Sequence, residues 1–63
     1  MERRLLNVAE AAEMINVKTG TLYNWVWQRK IPYVKTGRMV KFDIKDLDKW
    51  IEKNKVSLEN FIH

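Results

Sequence analysis

With 63 residues, no cysteine and one histidine at its last position, the chain has room for a single domain and lacks both a disulfide framework and a metal cluster to reinforce it. A hydrophobic content of 46%, with three Trp, two Phe and two Tyr, excludes disorder and leaves the apolar core to carry the fold. The start Met1-Glu2-Arg3-Arg4 has no apolar leader and no apolar run approaches the ~20 residues of a membrane span, so the expectation is a soluble cytoplasmic protein with no membrane contact.

The first patterned element begins at Asn7-Val8-Ala9-Glu10, which has the form of a capping box. Val8, Ala11, Ala12 and Ile15 then recur at helical spacing and predict a short helix from Val8 to Ile15, its small alanines allowing another helix to approach. Asn16, which tolerates left-handed backbone, marks a sharp turn. A second helix is expected over about Thr19 to Arg29, with Leu22, Trp25, Val26 and Arg29 inward and Gly20, Thr21, Asn24, Trp27 and Gln28 on or near the outer face. Pro32 prevents its continuation.

Between Tyr33 and Phe42 the period changes to two, which predicts a β-hairpin with its apex near Thr36-Gly37-Arg38. Val34, Val40 and Phe42 are expected to face the core, and Lys35, Lys41 and Arg38 to project outward. Asp43 then offers a second N-cap, and Ile44, Leu47, Trp50 and Ile51 form the apolar stripe of a third helix reaching about Lys53. The domain is therefore placed at residues 1–55. Residues 56–63 form a tail, either a short helix or an interaction segment.

Every acidic residue lies at or before Glu13 or at or after Asp43. The interval between them holds Lys18, Arg29, Lys30, Lys35, Arg38 and Lys41, a local charge of +6, whereas the flanks carry six basic and eight acidic residues, or −2. Such segregation suits a face that binds a polyanion, since cations collect phosphates best where no carboxylate competes. A solvated basic surface without a ligand is the plain alternative. No nucleophile beside a histidine, supported carboxylate pair or glycine-rich phosphate loop is evident, so a binding protein is expected instead of an enzyme, with no cofactor and no small-molecule substrate.

The predicted order α-α-β-β-α, mainly helical with a small hairpin, resembles the excisionase-type helix-turn-helix proteins of the MerR-like winged-helix group. The resemblance rests on Leu6-Asn7-Val8-Ala9-Glu10-Ala11-Ala12, on Val17 with Thr21-Leu22-Tyr23-Asn24-Trp25-Val26, on Ile31-Pro32, on Lys35-Thr36-Gly37-Arg38, and on Phe42 with Asp46-Leu47 and Trp50. Asn16 and Lys18 stand where the family commonly has glycine and serine, and Gly20 and Trp27 where relatives often carry polar or basic side chains, so a base preference does not transfer.

The resemblance implies a winged helix-turn-helix that binds double-stranded DNA, with the second helix entering the major groove N-terminus first and the wing meeting the adjacent backbone or minor groove. Lys18, Thr19, Gly20, Thr21, Tyr23, Asn24 and Gln28 are then the recognition-helix candidates. Asn24 suits an adenine edge, and Thr21 and Tyr23 suit phosphates through their hydroxyls. Each has a plain alternative: solvent exposure for Asn24, packing at the core edge for Tyr23, tolerance near a helix end for Gly20, and a cap for Thr19. Lys30, Lys35, Thr36, Gly37, Arg38 and Lys41 are the flank and wing candidates, against a merely charged sheet edge. Arg29 either attracts DNA or covers the core with its stem. Trp27 is left open among a neighbouring protein, the wing and the DNA backbone.

In role, the resemblance implies either an excisionase-like recombination factor, partnered by neighbouring copies or an integrase, or a small transcriptional regulator of a prophage or mobile element. A reading from another class is a protein-interaction module using Trp27 and the apolar tail of Val56, Leu58, Phe61 and Ile62.

Overall fold

A computed structural model describes residues 4–56. Along the chain it contains β1 (Leu5–Leu6), α1 (Val8–Ile15), α2 (Thr19–Trp27), β2 (Val34–Thr36), β3 (Met39–Asp43) and α3 (Ile44–Lys53). The expected winged helix-turn-helix is present, with one addition. Leu5 and Leu6 pair antiparallel with Asp43 and Phe42, so the sheet has three strands in the order β1-β3-β2. Of the tail, only Val56 is described, and it is exposed; the reading of a short helix there lies outside the described residues.

The capping box at the start of α1 is complete: the Glu10 amide donates to Asn7 Oδ1 at 2.8 Å and the Asn7 amide donates to Glu10 Oε1 at 3.0 Å. At the other end Asn16 adopts φ 59°, with its amide donating to the Glu13 carbonyl and that of Val17 to the Ala12 carbonyl. This pair of bonds is a Schellman closure, and it turns the chain directly into α2.

The second helix ends two residues earlier than expected. Gln28 caps it and Arg29 takes φ 58°, its amide donating to the Val26 carbonyl while the Lys30 amide donates to the Trp25 carbonyl. Both helices of the motif thus end in the same closure, one with a residue suited to left-handed backbone and one without. Arg29 bears a steric cost of about 1–2 kcal/mol for that conformation. It is also exposed, and does not belong to the inward face on which helical periodicity had placed it.

Leu22, Phe42 and Leu47, contributed by α2, β3 and α3, are fully buried together with Ala11, and Val8, Ala12 and Ile31 complete the buried core. Burial of each large side chain stabilises the fold by about 1.5–3 kcal/mol. Trp25, Val26, Val40 and Trp50 are partly buried and pack on this cluster, as does Leu6. Trp25 and Trp50 meet with ring centroids 5.7 Å apart, and Trp50 Nε1 donates to the Lys30 carbonyl at 2.9 Å. The third helix therefore grips the segment that joins α2 to the wing.

Asp43 sits where β3 gives way to α3. Its carboxylate accepts from the Lys45 amide at 2.9 Å, as an N-cap, and from Arg4 Nε at 3.0 Å, while the Ile44 amide donates to the Arg4 carbonyl. The bond from Arg4 holds the Asp43 carboxyl below the ordinary aspartate range, helped by the Lys45 and Asp46 amides and opposed by burial.

Candidate nucleic-acid interface

Successive residues of a helix are rotated by about 100°, so Gly20, Tyr23, Asn24 and Trp27 form one stripe, opposite the buried Leu22. All four are exposed, with Tyr23 at 55% and Trp27 at 88%. A Cβ at Gly20 would meet nothing within 4 Å, so the chain's own packing does not require a glycine there. Thr21 lies at the flank of the stripe and is half-buried, and Gln28 is exposed beyond the last turn. Lys18 and Thr19 are exposed at the opposite end. Lys18 is the N-cap, in extended conformation and without a side-chain capping bond, which leaves the first amides of α2 uncapped by any side chain.

The wing differs from the reading of its sequence in register. Thr36 pairs with Met39, Lys35 with Val40 and Val34 with Lys41, leaving Gly37-Arg38 as a two-residue turn, with Gly37 at φ 60°. Cross-strand partners share a face and neighbours alternate. Lys35, Val40 and Phe42 are therefore on the face that packs toward the helices, and Val34, Thr36, Met39 and Lys41 on the other. Val34 does not join Val40 and Phe42 as expected, because the apex has two residues instead of three, and changing an apex by one residue reverses the face of a whole strand. Lys35 is exposed at the rim beside α2, Thr36, Gly37 and Arg38 are exposed at the tip, and Lys41 is half-buried on the far face. The fold thus sets Lys35 at the rim beside α2 and Arg38 at the tip of the hairpin, and places Lys41 on the opposite face of the sheet.

Between α2 and the wing lies an open cleft of about 450 Å³, lined by Val26, Trp27, Arg29, Tyr33, Lys35 and Val40. Two of these residues carry positive charge and none carries negative charge. Trp27 extends the outer stripe by one turn beyond Tyr23, a spacing visible in the sequence. Nothing in residue type announced Arg29 or Tyr33 as its neighbours. Lys30 is exposed on the other side of the same loop, where Arg29, Lys30, Lys49 and Lys53 surround a second groove that also contains Asp46.

A capped first helix, a left-handed turn, a second helix with an exposed polar and aromatic stripe, and a basic hairpin beside it define a winged helix-turn-helix. The profile of the helix-turn-helix domain family matches residues 5–55, and the chain belongs to that family. Membership supports binding to DNA through the helix-turn-helix. No curated protein and no solved structure matches the chain. Among the described residues no group of three or more His, Cys, Asp or Glu side chains could hold a metal ion, and no helix is long and apolar enough to cross a membrane.

Proposed function

We propose that the protein binds double-stranded DNA sequence-specifically, inserting the N-terminal turns of α2 into the major groove and setting the wing on the adjacent backbone or minor groove. The observation that carries this reading is the exposed stripe of Gly20, Tyr23, Asn24 and Trp27, which adjoins a wing bearing Lys35 and Arg38, on a stretch of chain with no acidic residue. Asn24 presents a carboxamide able to make two hydrogen bonds to an adenine edge, while Thr19, Thr21 and Tyr23 offer hydroxyls to phosphates. Gly20 permits close approach of helix and duplex. Lys18, Lys30, Lys35 and Arg38 supply sequence-independent attraction, and Gln28 and Lys41 stand at the margin of the contact.

Within this class the excisionase-like recombination factor and the small mobile-element regulator are both consistent with one compact domain, which covers little DNA and gains affinity from neighbouring copies or a partner such as an integrase. Footprinting on the DNA flanking the gene separates them: clustered direct repeats beside an integration site support the recombination role, and an operator overlapping a promoter supports the regulator. Binding to mixed-sequence duplex tests the class itself. Affinity that does not fall with added salt would remove the DNA reading and favour a protein-interaction surface centred on Trp27.

A further inference from the structure

Two exposed side chains among the described residues are not used by the domain's own packing. One is Trp27, the most exposed of its large hydrophobic residues at 88%. A second copy of the same chemistry, Trp25 two residues earlier, packs on the core, so this chain buries tryptophan where burial serves stability. The other is Arg29. Its left-handed backbone, φ 58°, is one that glycine would adopt without strain, and its guanidinium makes no hydrogen bond or ion pair among the described residues. The closure of α2 needs a left-handed residue at this position but not an arginine, and a strained non-glycine residue there points to a use for its side chain. Trp27 and Arg29 line one cleft, with Tyr33 and Lys35 across from them.

We infer that this cleft is a subsite for a single sugar–phosphate strand of the DNA, with Arg29 and Lys35 pairing to its phosphates and the rings of Trp27 and Tyr33 packing on its deoxyriboses. The inference rests on the DNA reading above and adds its occupant. With α2 in the major groove and the wing in or beside the neighbouring minor groove, the strand that divides the two grooves has to cross between helix and wing, where the cleft lies. The chemistry matches the position. A strand presents anionic phosphates alternating with sugars of largely apolar surface, and the cleft presents two cations among aromatic and aliphatic side chains, with no carboxylate. A protein partner would also find apolar surface here, but the charge complements a phosphodiester chain and the cleft is continuous with the recognition stripe through Tyr23 and Trp27.

The test uses the full chain and a short mixed-sequence duplex able to seat one protomer, titrated across a range of salt concentrations. Arg29→Gly removes the charge and releases the left-handed strain, so its melting midpoint is expected to stay unchanged or rise by up to about 5 °C. Its duplex affinity nonetheless falls, and the slope of log K against log salt becomes shallower by about 0.9, the loss of one phosphate contact. Trp27→Ala is expected to weaken binding about fivefold to tenfold at every salt concentration with the slope unchanged, since an uncharged ring releases no counterion. Its midpoint stays in place because the side chain is exposed.

If the wild-type chain binds duplex and Arg29→Gly matches it in affinity and slope, the cleft does not hold a strand. The same conclusion follows if Trp27→Ala binds the single-site duplex normally and loses only cooperativity on tandem sites, which would place a neighbouring protein there. A wild-type chain with no salt-dependent duplex affinity fails differently, removing the DNA reading and this subsite together.

Discussion

Replacing Trp50 by Phe tests whether α3 fixes the segment that leads into the wing. The indole Nε1–H donates to the Lys30 carbonyl at 2.9 Å, and this bond is absent in the variant while an aromatic ring remains for Trp25 to pack against. Loss of a neutral hydrogen bond whose acceptor still reaches water costs about 1 kcal/mol. The smaller ring also removes roughly two carbons' worth of half-buried surface, about 0.8 kcal/mol more. Together these come to about 2 kcal/mol, which in a domain of this size lowers the melting midpoint by roughly 8–15 °C. Thermal unfolding followed by circular dichroism measures it, with Trp27→Phe as the control, because the same chemical change at an exposed position should shift the midpoint by less than about 2 °C. Equal shifts at the two positions, or a Trp50→Phe shift as small as the control's, would refute the claim that this indole holds the loop.

The left-handed closure of α1 makes Asn16→Ala destabilising by about 1 kcal/mol, with Asn16→Gly neutral or stabilising, and denaturant midpoints distinguish the two. Asp43 titrates below the ordinary value of 3.8 in the folded state, mainly through the bond from Arg4, so the unfolded chain takes up a proton first as pH falls. Its stabilising effect is complete above that value and is lost as pH drops toward the folded pKa. The stability difference between wild type and Asp43→Asn, followed by urea unfolding, should therefore shrink below about pH 3.8. Arg38→Ala should weaken binding to all duplex sequences alike and flatten the salt slope by about one unit; an unchanged slope takes Arg38 off the contact surface. Asn24→Ala should instead concentrate its loss at one base-pair position, by about 1–3 kcal/mol, read by competition with single-substitution duplexes.

The parts legible in the sequence were those with local chemical signatures. Asn7 and Glu10 announce the capping box, Asn16 the left-handed turn, Asp43 the cap of α3, and the stripe of Ile44, Leu47, Trp50 and Ile51 its buried side. The parts that were not legible depend on partners elsewhere. Leu5 and Leu6 show no strand pattern of their own and become β1 by pairing with β3. The wing's faces turn on whether its apex has two or three residues, and Thr36-Gly37-Arg38 accommodates either. Pro32 bounds α2 from beyond, but the helix stops earlier, at a left-handed arginine that no propensity favours. For the candidate site, the outer stripe of α2 followed from periodicity, including the outward position of Trp27. The cleft beside it did not, since it exists only where the hairpin folds back along the helix.

The pairing of Leu5 with Asp43 and of Leu6 with Phe42 joins residues 38 and 36 positions apart, at the same point where the wing ends and α3 begins. If this pairing frays, the core strand loses a neighbour, the aspartate cap loses its arginine, and α3 loosens its hold on the loop beyond Lys30. The hairpin is consequently wired to the rest of the molecule at both its entry and its exit, and a ribbon of ten residues that would be too weak to persist alone melts only when the whole chain does. Amide exchange reads this as a shared opening free energy for β3 and the start of α3; separate values would mean that the ribbon opens independently.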